Sequence, residues 1–555
     1  MTEAFFQDKF PEGCTRTIDA SKCTSLNELI ENNFERFADN PAFTCLNRTL
    51  TYRELDELSA QFACYLQQHT DLQAGDRIAI QLPNVLQYPI AMFGAMRAGM
   101  VVVNTNPLYT EREMEHQFND SGAKALVVLA NFADKVAEVL PKTGIKHVVT
   151  TQVGDVHTGL KRSLINSVIK YVKKEVPAVK IPQSIEFRKA LNLGKAKQFS
   201  TPVVQPDDVA VLQYTGGTTG VSKGAMLTHH SLTANTVQCY ELFNMELKEN
   251  EEVAIAPLPL YHIYAFIVHF MALMRFGAHS ILIPNPRDIP GFVKTLKQQQ
   301  FSVFAGLNTL FVSLCTDEDF KHNVDFSKLK LTISGGMALT KDATDTWTDI
   351  TGCKISEAYG MTEASPLVSF NPPGYQKLGT IGLPVASTDC KVMDDDGNEM
   401  PLGEPGELWV KGPQVMKGYW QRPEATADTI TEDGWLKTGD VALIQGDGYM
   451  RIVDRKKDMI IVSGFNVFPN EIEDVLSSHD DVVEVAVVGV KDDKSGEAVK
   501  AYVVSSNVNL TADDLKQYSK DNLTAYKVPK FIEFRDELPK SNVGKILRRM
   551  LRDEE

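Results

Sequence analysis

The chain has 555 residues, more than the roughly 250–300 that a single hydrophobic core serves, so at least two domains are expected. Hydrophobic residues at 43% and charged residues at 23% exclude a disordered chain, and a net charge of −15 excludes nucleic acid as a partner of the whole molecule. Eight cysteines run from Cys14 to Cys390 without a CxxC pair, which suits reduced cytoplasmic thiols better than a zinc site or a disulfide framework.

The N-terminal MTEAFFQDKFPEG lacks the basic start and apolar run of a signal peptide. From Ser25 to Gln68 the pattern predicts an amphipathic helix around LNELIENNFERFA, an extended piece at Leu50-Thr51-Tyr52 and a second helix. A strand from Arg77 to Leu82, a helix through Met96, and strands beginning at Met100 and Lys124 follow. This alternation predicts βαβ units, hence an α/β fold of largely parallel sheets covered by helices.

Between Leu160 and Ser200 ten basic residues face two acidic ones, a net of +8. Leu164, Ile165, Val168, Ile169 and Val172 recur at helical spacing beside the lysines, as in an amphipathic surface helix that meets anionic lipid; a solvated basic face is the alternative.

The stretch YTGGTTGVSKGA, Tyr214 to Ala225, follows a buried-strand pattern and packs four glycines, three threonines, a serine and a lysine into twelve positions. Glycines let backbone N–H groups converge on an anion, hydroxyls add donors and Lys223 adds charge, so this is a phosphate cradle. It is not a Walker A loop, because Ser222-Lys223-Gly224 stands where Gly-Lys-Ser/Thr is required. Gly220 to Gly224 formally match the G-x-S-x-G nucleophile elbow, and a Gly/Thr linker is the plainest alternative.

His262 stands among aromatics and prolines in PLPLYHIYAF. The apolar run from Ala265 to Ile283 is broken by His269, Arg275 and His279, so it reads as core or pocket wall and not as a membrane span. LTISGGMAL reads as a strand ending in Gly335-Gly336, where something flat can approach the backbone, although a tight turn needs the same residues. EAYGMTEASP offers Tyr359 for a base, Thr362 for a phosphate and Glu363 for Mg²⁺. GWLKTGD ends in Asp440, a carboxylate of the kind that takes two ribose hydroxyls. Five charges in succession, Asp454 to Asp458, are expected to stay exposed and to mark the domain boundary, leaving a small α/β unit of roughly 100 residues after them.

These blocks, followed in order by DRKKD, SGFNVFPNEIE and PKSNVGKILRR, resemble the adenylate-forming superfamily of acyl-CoA synthetases, luciferases and peptide-synthetase adenylation domains. VSGFNVFPNEIE, KGPQVMKGYWQRP and FRDELPKSNVGKILRR are most similar to bacterial long-chain fatty-acid CoA ligases. The resemblance implies an N-terminal domain over 1–453, a hinge at 454–458 pivoting on Lys457, and a mobile C-terminal lid over 459–555. It implies ATP and CoA as co-substrates, Mg²⁺, a fatty acid, and an enzyme of the cytoplasm held peripherally at the inner face of the membrane; it allows a homodimer. Tyr214, Thr215, Gly216, Gly217, Thr218, Thr219, Gly220 and Lys223 would hold the ATP phosphates, with Thr218 and Glu363 on Mg²⁺. Gly335, Gly336, Tyr359, Gly360, Asp440 and Arg455 would hold adenosine, and Gly464 and Phe465 would line the CoA tunnel. Lys545 and Thr362 would act in catalysis, and His262 would stand between the acyl and thiol sites. FAGLNTLF, Phe304 to Phe311, would line an acyl tunnel, although core packing looks the same in sequence. An acyl hydrolase using Ser222, or a fatty-acid-binding protein that spares ATP, remain the alternatives from other classes.

Overall fold

The computed structural model describes residues 3–6, 8–19, 25–179, 181, 183–195, 198–215, 222–463, 465–492, 495–541 and 546–554. Among them, strands form four sheets, of nine, seven, five and four strands. The seven-stranded sheet runs Ser184–Glu186, His147–Thr151, Ala123–Leu129, Arg77–Gln81, Val101–Asn104, Val209–Thr215, Lys223–Thr228, and is parallel except for its last pair. The nine-stranded sheet has a parallel centre, Ile355–Gly360, Leu331–Gly335, Val303–Gly306, Val253–Ala256, His279–Leu282 and Pro41–Cys45, with antiparallel strands at both edges.

Successive side chains of a strand point to opposite faces, and both large sheets use this to serve two cores. Ile78 and Ile80 enter the core shared by the two sheets while Ala79 enters the outer one; across the molecule Ala254 and Ala256 face the shared core and Ile255 the opposite layer. Buried on both faces, these strands read as continuous apolar runs, as parallel strands must. Helices Leu26–Arg36, Tyr52–His69 and Gln87–Arg97 fill the space against the shared core, and the last is buried on every side. Thr51 caps the second of them through a capping box with Glu54, which satisfies two otherwise orphaned N–H groups.

The antiparallel sheet Asp389–Met393, Gly406–Lys411, Leu436–Ile444, Met450–Arg455 leads into the C-terminal sheet, built on the long hairpin Val482–Asp492 with Gly496–Ser505. Two small apolar clusters cover the faces of that last sheet, so the C-terminal unit has a core of its own.

The structure departs from the sequence reading at several points. A strand at Pro41–Cys45, not anticipated, pairs parallel to His279–Leu282 and antiparallel to Arg48–Thr51, so the extended piece before Tyr52 is one arm of a hairpin. Within the basic segment Gly159–Ser167 is a helix that continues as a π-helical turn over Val168–Val172, and a separate short helix spans Phe187–Gly194. Leu164 and Val172 stay 65% and 73% exposed, joined by Leu160 and Tyr171, so no single apolar face is covered. The run Asp454 to Asp458 is not uniformly exposed either: the Asp454 side chain is fully buried. A charge can be buried when its oxygens are satisfied, and Asp454 accepts from the N–H groups of Arg455 and Asn470, each at 2.7 Å, beside Arg548 at 3.4 Å. Among the described residues no helix is long and apolar enough to cross a membrane, and Ala265 to Ile283 is core as expected.

Candidate active site

Tyr214 and Thr215 end one strand and Lys223 opens its antiparallel return, with Tyr214 opposite Gly224 and Thr215 opposite Lys223. The expected phosphate ligands Gly216, Gly217, Thr218, Thr219 and Gly220 lie outside the described residues, as do Gly464 and Lys545. The strand pairing thus holds up to Thr215 on one side and from Lys223 on the other. This geometry is not a nucleophile elbow, because Ser222 leads into a strand and the next helix starts at His229. Tyr214 donates to Asp120 at 2.8 Å, Arg422 pairs with the same carboxylate, and His116 Nε2 donates to the Ser222 carbonyl at 2.9 Å.

Two segments distant in sequence meet beside this hairpin. The stretch Met416–Trp420 lies along the return strand: Met226 N–H donates to Gly418, Lys417 N–H to Met226 and Trp420 N–H to Gly224, at 2.8–3.0 Å. Glu363, in the turn Thr362–Ala364, accepts the Tyr419 hydroxyl at 2.7 Å, and its carbonyl accepts Met416 N–H at 2.8 Å. The Lys223 ammonium sits over the Tyr419 ring, 5.0 Å from its centre. Lys223 and Glu363 are thereby brought to one place. Mg²⁺ prefers hard oxygens, commonly one or two carboxylates completed by substrate phosphates. Glu363 fits that role: it is nearly buried, and among the described residues only Tyr419 engages its carboxylate.

The adenosine candidates form a second group. The Tyr359 hydroxyl donates to Asp440 at 2.5 Å, and Arg455 lies 3.5 Å from the other Asp440 oxygen, its strand partner across the sheet. Burial first, and then the Asp440 charge, hold the Tyr359 phenol far above its usual range, so it stays a donor. Gly335 pairs with Ala358 on the neighbouring strand, which sets the two ends side by side. A Cβ at Gly360 would stand 2.1 Å from the Pro366 carbonyl, so only glycine fits there; Gly336, with φ +86°, turns the chain away after the strand.

His262 caps a short turn by accepting Tyr264 N–H at 3.3 Å, and Tyr264 in turn donates to the Ile333 carbonyl at 3.3 Å beneath Gly335. A π-helical stretch, Phe266–Ala272, follows directly. Phe304 and Phe311 pack on Trp347 with ring centres 5.1 and 4.8 Å away, both fully buried, so the FAGLNTLF rings are core and not a tunnel wall.

At the expected hinge, Lys457 occupies the turn Lys456–Asp458, and its carbonyl accepts Arg552 at 3.2 Å. Desolvation, then the Arg455 charge, push its ammonium down to about 8. Arg548 grips Glu473 at 2.5 and 2.9 Å, touches Asn470, and lies 3.4 and 3.5 Å from Asp454 and Asp458. Phe465 is stacked on Tyr526 with ring centres 4.9 Å apart.

Sequence reasoning missed Tyr419, Tyr264, Glu357, Arg548 and Tyr526. Glu357 had a visible signal: it stands two positions before Tyr359 and so shares its face of the strand. Burial pushes its carboxyl up to about 8, against the opposing hydrogen bond from Leu339 N–H.

With this geometry in place, comparison with known proteins gives a consistent result. Residues 30–420 match the model of the AMP-binding enzyme family, and residues 471–545 that of the AMP-binding enzyme C-terminal domain. The chain belongs to the AMP-binding enzyme family. A long-chain-fatty-acid–CoA ligase of Yersinia pestis is 51% identical over 554 residues, covering 100% of this chain and 98% of the relative. That of Haemophilus influenzae is 50% identical, covering 100% and 99%. Among solved structures, ATP-bound MatB from Rhodopseudomonas palustris superposes with a TM-score of 0.82 at 29% identity, covering 95% of this chain and 98% of that one. The fold is accordingly that of adenylate-forming enzymes, with a large N-terminal domain and a small C-terminal one.

Proposed function

We propose that the chain is an ATP-dependent ligase that joins a long-chain fatty acid to CoA through an acyl-adenylate, releasing pyrophosphate and then AMP. The observation that carries this reading is the convergence of Lys223 and Glu363 on one tyrosine beside the glycine-rich hairpin, next to the Tyr359, Asp440 and Arg455 group. The names of the relatives supply the acyl chain length.

In the first half-reaction a fatty-acid carboxylate oxygen attacks the α-phosphorus, the bond to the α,β-bridging oxygen breaks, and pyrophosphate leaves. Charge grows on the leaving group, so preorganised donors there lower the barrier most: the loop from Tyr214 through Thr215 to Gly220, with Lys223 at its exit. Glu363 and Thr218 are the residues that would hold Mg²⁺, which when bound neutralises phosphate charge. Thr362 takes a phosphate oxygen. Tyr359 stacks on adenine against Gly335, Gly336 and Gly360, while Asp440 and Arg455 take the ribose. Lys545 bridges two anions, the incoming carboxylate and the α-phosphate, that otherwise repel.

In the second, residues 459–555 turn about Lys457 within the 454–458 hinge and bring Gly464 and Phe465 to the site, where a missing side chain leaves room for pantetheine. The thiol sulfur attacks the acyl carbon, the bond to the AMP oxygen breaks, and the thiol proton passes to solvent. His262 separates the acyl and thiol approaches.

The exposed Leu160, Leu164, Tyr171 and Val172, set among lysines, dock this cytoplasmic enzyme reversibly on the anionic inner face of a membrane. Flotation with anionic vesicles should fail for K170E/K173E/K174E and persist for the parent; equal flotation of both removes the docking surface. A homodimer belongs to the same reading and is checked by sedimentation.

The deciding experiment measures AMP release from ATP and Mg²⁺ with fatty acids of increasing length, with and without CoA. Release confined to long chains, with turnover that needs CoA, is expected. Intact ATP beside bound fatty acid would instead make this a binding protein.

A further inference from the structure

The stretch KGPQVMKGYWQRP stands out in the sequence, yet none of the roles above falls on it. Its Tyr419 touches both charged groups at the phosphate end of the site. The hydroxyl donates to one Glu363 oxygen at 2.7 Å, with the Thr429 hydroxyl also bonded to the phenol oxygen. The ring carries the Lys223 ammonium on its face. The tyrosine is itself fixed: its N–H donates to Thr426 at 2.9 Å, it bridges to Ala225 of the return strand, and only 8% of it is exposed.

The arrangement addresses a problem of charge. A lysine and a carboxylate brought to one side chain attract one another even where, as here, the lysine is exposed and the carboxylate nearly buried, and an ion pair between them would withdraw both from a nucleotide and its metal. Among the described residues no ion pair joins Lys223 to Glu363, and the group that each contacts is Tyr419. A neutral aromatic serves both neighbours at once. Its ring face attracts the cation without neutralising it, and its hydroxyl orients the carboxylate while occupying only one oxygen.

We propose that Tyr419 is a positioning residue for adenylation, which holds Glu363 with one oxygen presented to the metal ion and holds Lys223 apart from it, presented to the phosphates. This rests on the assignment of Glu363 to the metal and Lys223 to phosphate made above.

The test uses Mn²⁺ as the probe, with its free concentration read by electron paramagnetic resonance in the presence of the full-length protein and a non-hydrolysable ATP analogue. Glu363→Gln is the control for the underlying assignment and should weaken Mn²⁺ binding. Tyr419→Phe, which keeps the ring, should weaken Mn²⁺ roughly 10- to 100-fold, the usual cost of losing a group that orients a metal ligand, while metal-free binding of the analogue stays within about twofold. Tyr419→Leu should lose metal affinity likewise and also weaken metal-free pyrophosphate binding by about threefold or more, because Lys223 loses its platform. A purely structural tyrosine would lower the melting temperature and leave Mn²⁺ affinity unchanged. Unchanged Mn²⁺ affinity in Tyr419→Phe, with a loss in Glu363→Gln, overturns the proposal alone. Unchanged affinity in Glu363→Gln overturns the proposal and the metal assignment together.

Discussion

The proposed phosphate end of the site and the proposed hinge both gather charges, but they treat them in opposite ways. At the phosphate end each charge has a single neutral partner: Glu363 has Tyr419, Lys223 has the ring of that same residue. At the hinge, Asp454, Asp458 and Glu473 converge on Arg548, with Arg552 on Asp458 and backbone N–H groups on Asp454. Burial pushes the Asp454 and Glu473 carboxyls upward while Arg548 opposes it. Glu363 and Lys223 are thus left half satisfied, whereas Asp454 and Glu473 are matched by a cation and backbone N–H groups.

This contrast can be broken most severely at Arg548. Arg548→Met leaves Asp454 and Glu473 without their cation, while Asp458 keeps Arg552, and a buried pair that loses one partner costs about 3–5 kcal/mol. The expected result is a large loss of stability in the C-terminal unit by urea denaturation, with ATP binding by the N-terminal domain retained. The complementary change at the nucleotide end is milder for the fold and selective for the ligand. Asp440→Asn should leave the melting curve nearly unchanged and raise the KM for ATP about tenfold, the scale of one charge-assisted hydrogen bond. Equal effects on melting from the two variants would erase the distinction.

A third effect sharpens the comparison through pH. Glu357 has a folded-state pKa of about 8 against an ordinary 4.5, so the folded state binds the proton more tightly than the unfolded one. Its contribution is fully present below about 4.5 and is lost as pH rises through about 8. Glu357→Gln cannot lose that proton, so its melting temperature should gain on the parent across this window and stay level above it. A gap that does not change with pH would place Glu357 in a solvated setting.

Much of the site was legible because its parts are local. A glycine-rich loop between two extended runs, a tyrosine and a carboxylate in EAYGMTE, and an aspartate after glycine are each written within a dozen residues. What was illegible depends on pairings that sequence does not display. Tyr419 meets Glu363 across 56 positions, and Asp454 meets Arg548 across 94. The charge run was read as exposed because its neutralising partner lies near the other end of the C-terminal unit. The FAGLNTLF rings failed differently: lining and core require the same side chains, and only the position of Trp347 decides between them.

Arg548 and Arg552 have a mechanical consequence for a pivot at Lys457. Arg548 reaches Asp454 on one side of the pivot and Asp458 on the other, and Arg552 holds the carbonyl of the pivot residue. The final helix, Arg548–Arg552, is thus held by its arginines to the strand end at Asp454 and the turn Lys456–Asp458. Were residues 459–555 to turn about Lys457 as proposed, at least one of these ion pairs would have to break first.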